Sequence, residues 1–243
     1  PLALLLALAS AASSAAPLKV EFKTTDDWTL CALYRPPRRG GAVMVLAHGA
    51  ASSKGEWTVF AERLAAKGVG SLAVDLRGHL DSMKGPKGPR NFTDFDATGE
   101  WTKAVLDLRA AAAWLEDRGI KPSRIAFGGA SIGANLASQA SADRAAVPCL
   151  LLLSPGPDYR GVRLVARPGL KVLVAASPPD RYALSTLEPF SKVNGAETLT
   201  GPAGHGVQLF DDPATFDHVV EWVVRAANVG ESRGRRPREP KAR

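Results

Sequence analysis

Arg124-Ile125-Ala126-Phe127-Gly128-Gly129-Ala130-Ser131-Ile132-Gly133-Ala134-Asn135-Leu136 decides the reading of this chain. Arg124 to Phe127 is a short apolar run without a polar face, as expected of a strand buried on both sides. Ile132 to Ala142 has helical period. Between them the chain has room only for a sharp turn, and Ser131 stands at its tip. Gly129 and Gly133 flank the serine at two residues on either side, where neighbouring chain passes too close for a larger side chain. G-x-S-x-G alone is a weak signal, since a Gly-rich strand–helix turn of another α/β fold also produces it. The strand before it and the helix after it are the context the motif needs.

Outward from this turn the same alternation repeats. Val43 to Ala47, Ser71 to Val74, Val147 to Leu153 and Lys171 to Ala176 are further apolar runs. Glu56 to Lys67, Glu100 to Arg118, Arg181 to Val193 and Pro213 to Ala227 are helix candidates, the first two ending at Gly68 and Gly119. Leu18 to Lys23 and Trp28 to Tyr34, joined by Thr25-Asp26-Asp27, read as a β-hairpin. The pattern predicts an α/β fold: a doubly wound, mostly parallel sheet with helices on both faces and an N-terminal hairpin. Arg77 to Phe95 reads as a long loop that, with Trp57, is a candidate lining for a site entrance. The short stretch between Leu153 and Lys171 leaves no room for a large cap domain.

A serine hydroxyl needs a base, and a base of this kind needs a carboxylate to orient it. His205, in Gly204-His205-Gly206, lies on a loop before the last helix and is the candidate base. His48, His79 and His218 lack that loop setting. Asp180, after the run Lys171 to Ala176, is the candidate acid, with Asp158 as its rival. The order Ser131, Asp180, His205 suits a strand–helix hydrolase. The backbone N–H groups of Ile132, at a helix N-terminus, and Ala50, after His48-Gly49, are candidate oxyanion donors.

These residues together resemble the α/β-hydrolase superfamily, closest to the cap-free dienelactone hydrolases, prolyl-oligopeptidase-like peptidases and bacterial esterases. The matching stretches are Val45-Leu46-Ala47-His48-Gly49, Val74-Asp75-Leu76-Arg77-Gly78-His79, Gly129-Ala130-Ser131-Ile132-Gly133, the strand end at Asp180, and Gly204-His205-Gly206. The resemblance implies acyl transfer to Ser131 with no metal or organic cofactor, on a small-molecule or polymeric ester. Two positions depart from the family pattern. Asp27 stands where the hairpin turn often has Gly, and Leu80 stands where Gly often follows Arg-Gly-His. A peptidase or thioesterase on the same triad is the near alternative. A non-catalytic binding protein on the same fold is the alternative from another class.

Composition fits one globular domain: 243 residues, 45 % apolar and 23 % charged. Residues 1–16 read as the remnant of a signal peptide, with Leu2 to Ala9 as its apolar core and Ser13-Ser14-Ala15 as a cleavage site, so the chain is expected to be exported to the periplasm or beyond. The apolar run is too short to span a bilayer. Residues 17–229 form the expected hydrolase domain. Residues 230–243 form a basic tail that holds +4 of the formal +7 charge and is expected to be disordered. Weak contact with an anionic surface is its expected role beyond solubility, with no nucleic-acid partner. Cys31 and Cys149 read as two unpaired core residues, and two cysteines with four scattered histidines make no metal pattern.

Overall fold

The computed structural model describes residues 16–227. The expected basic tail, and all but the last residue of the expected signal segment, lie outside the described residues. The hairpin forms as expected, from β1 (Leu18–Lys23) and β2 (Thr29–Arg35). Next come β3 (Val43–Ala47), α1 (Thr58–Ala66) and β4 (Gly70–Val74). A long excursion carries the two-residue strands β5 (Lys84–Gly85) and β6 (Gly88–Pro89), then α2 (Phe95–Thr98) and α3 (Val105–Glu116). The second half contains β7 (Ile125–Ala130), α4 (Ile132–Ala142), β8 (Leu150–Leu153), the small hairpin β9 (Asp158–Tyr159) and β10 (Val162–Arg163), and β11 (Val172–Ala176). It closes with α5 (Arg181–Leu184), α6 (Leu187–Ser191), β12 (Ala196–Thr200) and α7 (Pro213–Ala227).

The main sheet runs β12-β11-β8-β7-β3-β4-β2-β5-β6, with β1 paired to β2. From β12 to β4 every neighbour is parallel, and β2 turns the sheet antiparallel. The strands alternate between two cores. Val43, Val45 and Ala47 pack on the face that carries α3 and α4, while Met44 and Leu46 pack with residues of α1 and α7. Leu150 and Leu152 against Leu151 and Leu153 repeat the division. Both sides of each strand are therefore apolar, which is why these runs show no period of two in the sequence.

Parallel register gathers the strand C-termini along one edge. Ala47 pairs with Gly129, Ala130 with Leu153, and Leu153 with Ala175. The chain leaves this edge at His48, Ser131, Ser154, Ser177 and Gly201, so distant residues converge there.

Three expectations are corrected. Arg181 to Val193 is not one helix but α5 and α6. Pro189 explains the break: it has no N–H to give to Ser185, and its ring excludes that carbonyl from a continuous helix. Trp57 is fully buried against Phe60 and Phe210 in the α1 core and lines no entrance. The helix expected from Glu56 begins as a tight 3-10 turn at Lys54–Trp57, capped by Ser53.

The two departures from the family pattern share a physical consequence. Asp27 has φ 64° and Leu80 has φ 35°, both in the left-handed region. Each stands where a glycine would relieve the backbone. Aspartate tolerates this conformation, whereas leucine does not. Leu80 is also 64 % exposed, so little packing offsets its strain.

Candidate active site

Ser131 joins β7 to α4 with φ 55° and ψ −127°. That is a strained conformation for a residue with a Cβ. The surroundings enforce it. A Cβ on Gly129 would meet Gly133 O at 2.1 Å, and one on Gly133 would meet Ala47 O at 2.4 Å and His48 O at 2.5 Å. The two glycines thus let α4 pack onto the sheet directly beneath the serine. The Ser131 N–H bonds Leu153 O at 2.9 Å, which ties the elbow to β8.

His205 and Asp180 meet. Nδ1 of His205 lies 2.6 Å from Oδ2 of Asp180, and Oδ1 of Asp180 accepts from Ala183 N–H at 3.4 Å. The rival, Asp158, instead accepts from Gly161 N–H at 2.7 Å and faces Arg163. With Nδ1–H donating to a carboxylate, the neutral ring carries its lone pair on Nε2. Two buried serines pin the loop on either side of the histidine. Ser177 Oγ donates to Gly204 O at 2.6 Å, and Ser154 Oγ accepts from Gly206 N–H at 2.9 Å.

Ser131 and His205 line one cavity of about 540 Å³, together with Gly49, Ala50, Glu56 and Gln208 among others. Gly206 keeps the histidine loop close to the elbow: a Cβ there would meet Ala130 Cβ at 3.1 Å. Among the described residues no hydrogen bond joins Ser131 Oγ to Nε2 of His205. The Tyr159 ring meets His205 edge-on with centroids 6.4 Å apart, and its hydroxyl donates to Ser154 O at 3.3 Å. None of residues 77–95 lines the cavity, so that part of the expectation for the long loop is corrected.

The loop after β3 is held from behind. His48 is fully buried; its Nδ1 faces Gly49 O at 2.7 Å and its Nε2 accepts from Leu76 N–H at 3.0 Å. Burial pushes this imidazole down to about 3, so it stays neutral. His79 stacks on Phe92 and reaches Ala50 O through Nε2 at 2.7 Å. These two rings fix the path of Gly49 and Ala50. The Ala50 and Ile132 N–H groups donate to no acceptor among the described residues.

A model of the alpha/beta hydrolase family matches residues 44–242. The chain belongs to this family. No curated protein sequence matches it. Among solved structures it is similar to a dienelactone hydrolase from Anabaena variabilis, at 19 % identity and TM-score 0.64, covering 87 % of this chain and 97 % of that one. It is also similar to an esterase from Pyrococcus furiosus, at 21 % identity and TM-score 0.63, covering 86 % and 92 %. An alpha/beta hydrolase from Novosphingobium aromaticivorans aligns at 15 % identity and TM-score 0.67, covering 87 % and 99 %. At these identities the likeness establishes the fold.

Four residues of this α/β-hydrolase site escaped the sequence reading. Tyr159 arrives from the β9–β10 hairpin, which Asn135 of α4 staples down through Gly156 O and Val162 O, each at 2.8 Å. Burial and the nearby Asp180 charge raise its phenol well above the usual range, so it stays a hydrogen-bond donor. Burial likewise pushes the Glu56 carboxyl up to about 7, against the pull of Ser52, the Gly49 backbone and His205. Ser154 and Ser177 complete the set. The serines follow β8 and β11 directly, at positions that a parallel sheet brings to the same edge as Ser131, and that placement was the signal available.

Proposed function

We propose that this protein is a serine hydrolase that cleaves carboxylic esters through an acyl-enzyme. The observation that carries the reading is the His205–Asp180 contact at 2.6 Å on a loop facing the same cavity as the strained Ser131 elbow. A core or surface histidine has no need of a half-buried carboxylate on Nδ1 and an open Nε2.

In this mechanism Ser131 Oγ attacks the ester carbonyl as Nε2 of His205 takes its proton, and Asp180 stabilises the imidazolium. The oxygen that gains charge accepts from the Ala50 and Ile132 N–H groups, which have no competing partner. His205 then protonates the departing alcohol. Water attacks the acyl-serine with His205 again as base, and the tetrahedral species collapses to the free acid and Ser131. Contact between Oγ and Nε2 forms on substrate binding, as catalytic hydrogen bonds often do.

Ser131→Ala is expected to lower turnover of short acyl esters by at least about 10³-fold while the protein stays folded. The wild type, but not the variant, is expected to take one equivalent of a fluorophosphonate label. Unchanged turnover in Ser131→Ala overturns the reading. Hydrolysis of thioesters or aminoacyl amides in preference to esters would move the assignment to the neighbouring reaction classes. Export of the chain is proposed on the sequence of residues 1–16 alone.

A further inference from the structure

Beside the catalytic cavity lies an annexe. A second cavity of about 280 Å³ shares Glu56, Val207 and Gln208 with the first. Its remaining walls include three phenyl rings and one acid: Phe60, Phe210, Phe216 and Asp211. Phe60 stacks on Phe210 with centroids 5.2 Å apart, and Phe210 meets Phe216 at 4.8 Å. Carboxyl groups therefore stand at the junction and in the wall of a chamber bordered by phenyl rings, of which Phe60 and Phe216 are buried and Phe210 is partly exposed.

Charge decides what such a chamber prefers. The chain has a formal charge of +7, yet neither lining contains a lysine or arginine among the described residues. Glu56 Oε1 is buried without a hydrogen-bond partner. A buried acceptor left unpaired is costly, and rotation of the carboxyl towards the cavity would let a bound N–H donor relieve it. Aromatic faces attract cations through their quadrupole. Arg63 already lies 5.2 Å from the Phe216 ring centroid, although its guanidinium is bonded to Asp217. An anionic substituent would meet two carboxylates and no counter-charge.

We propose that the annexe binds an ammonium-bearing substituent of the substrate, so that the preferred esters are cationic and carry an apolar group beyond the amine. This specificity rests on the hydrolase reading above. Glu56 meets the ammonium group at the junction, the phenyl rings take the apolar group beyond it, and Asp211 adds longer-range attraction.

The test separates binding from catalysis. Phenethylamine, phenethyl alcohol and phenylacetate have one ring, one spacer and three charges. Their affinities are to be measured calorimetrically at about pH 8, where the amine is protonated and carboxylates are ionised. The amine is expected to bind about tenfold more tightly than the alcohol, and phenylacetate more weakly than either. In Glu56→Gln the amine-to-alcohol ratio is expected to fall to within about twofold, and in the more exposed Asp211→Asn by about threefold. Each ratio is internal to one protein, and a thermal melt reports the fold of each variant. Equal affinity for amine and alcohol in the wild type, or an unaltered ratio in Glu56→Gln, overturns the proposal. In a parallel arm, the amine is expected to compete with a neutral ester for hydrolysis. Charge-selective binding without any ester turnover would overturn the hydrolase reading and leave the cation site standing.

Discussion

Ser154 Oγ accepts a 2.9 Å hydrogen bond from the Gly206 N–H and so fastens the residue after the candidate base to the end of β8. The attachment is itself strained, since Ser154 has φ 48°. Strain at a buried serine that holds the His205 loop is a cost that only the loop's geometry rewards.

Ser154→Ala leaves the Gly206 N–H buried without an acceptor. The loop can recover the bond only by moving towards solvent, which carries His205 away from Ser131. The expected result is a fall in kcat of about 10- to 100-fold with KM nearly unchanged, because the cavity walls stay in place. Steady-state kinetics on one ester, with a melt as control, reads both.

His48 makes the folded protein sensitive to acid. The unfolded chain takes up this proton near pH 6.5, whereas the folded chain resists it down to about 3. Within that window the unfolded state binds more protons. The stabilisation is complete above pH 6.5 and is lost as pH falls towards 3, at up to about 1.4 kcal/mol per pH unit. His48→Gln keeps a donor for Gly49 O and an acceptor for Leu76 N–H. Its urea midpoint is expected to fall less steeply between pH 6.5 and 4 than that of the wild type.

Arg77 is fully buried and holds three acids, with Asp26, Glu100 and Asp107 each within 2.8 Å. This cluster joins the hairpin turn, the end of β4 and α3. Arg77→Met strands two buried carboxylates and is expected to cost about 3–5 kcal/mol near neutral pH. Burial already pushes Asp107 up to about 6 against the pull of Arg77. Without the guanidinium it protonates more readily still. The loss is therefore expected to be smaller at pH 5 than at pH 8, and chemical denaturation at both values checks the sign.

Leu80→Gly is expected to raise stability by about 1 kcal/mol, since it removes a left-handed leucine that buries little. Asp27→Gly should yield less, because aspartate accepts that conformation and Asp27 is exposed. Thermal melts of the two variants rank them.

The strands and the elbow were legible because burial on both faces leaves unbroken apolar runs, and because Gly129 and Gly133 are steric requirements written directly as residues. His205 and Asp180 were legible through loop position and chain order. Glu56, Tyr159 and Ser154 were not. Glu56 looked like a solvated helix start, and only the folded Gly49–Ser52 loop encloses it. Tyr159 comes from a two-residue strand too short to leave a period. The break before α6 was written at Pro189, but the apolar residues on either side of it suggested one longer helix.

Cys31 lies in β2, and Cys149 lies just before β8, four places away across the sheet. At a strand spacing of about 4.8 Å that separation is roughly 19 Å, while a disulfide needs Cα atoms within about 7 Å. Both thiols are buried, and burial pushes them up to about 11 and about 12, so neither supplies a ready thiolate. The described domain therefore acquires the same covalent form under glutathione as under an oxidant. Its maturation calls for no disulfide exchange, and yields from reducing and oxidising hosts should match.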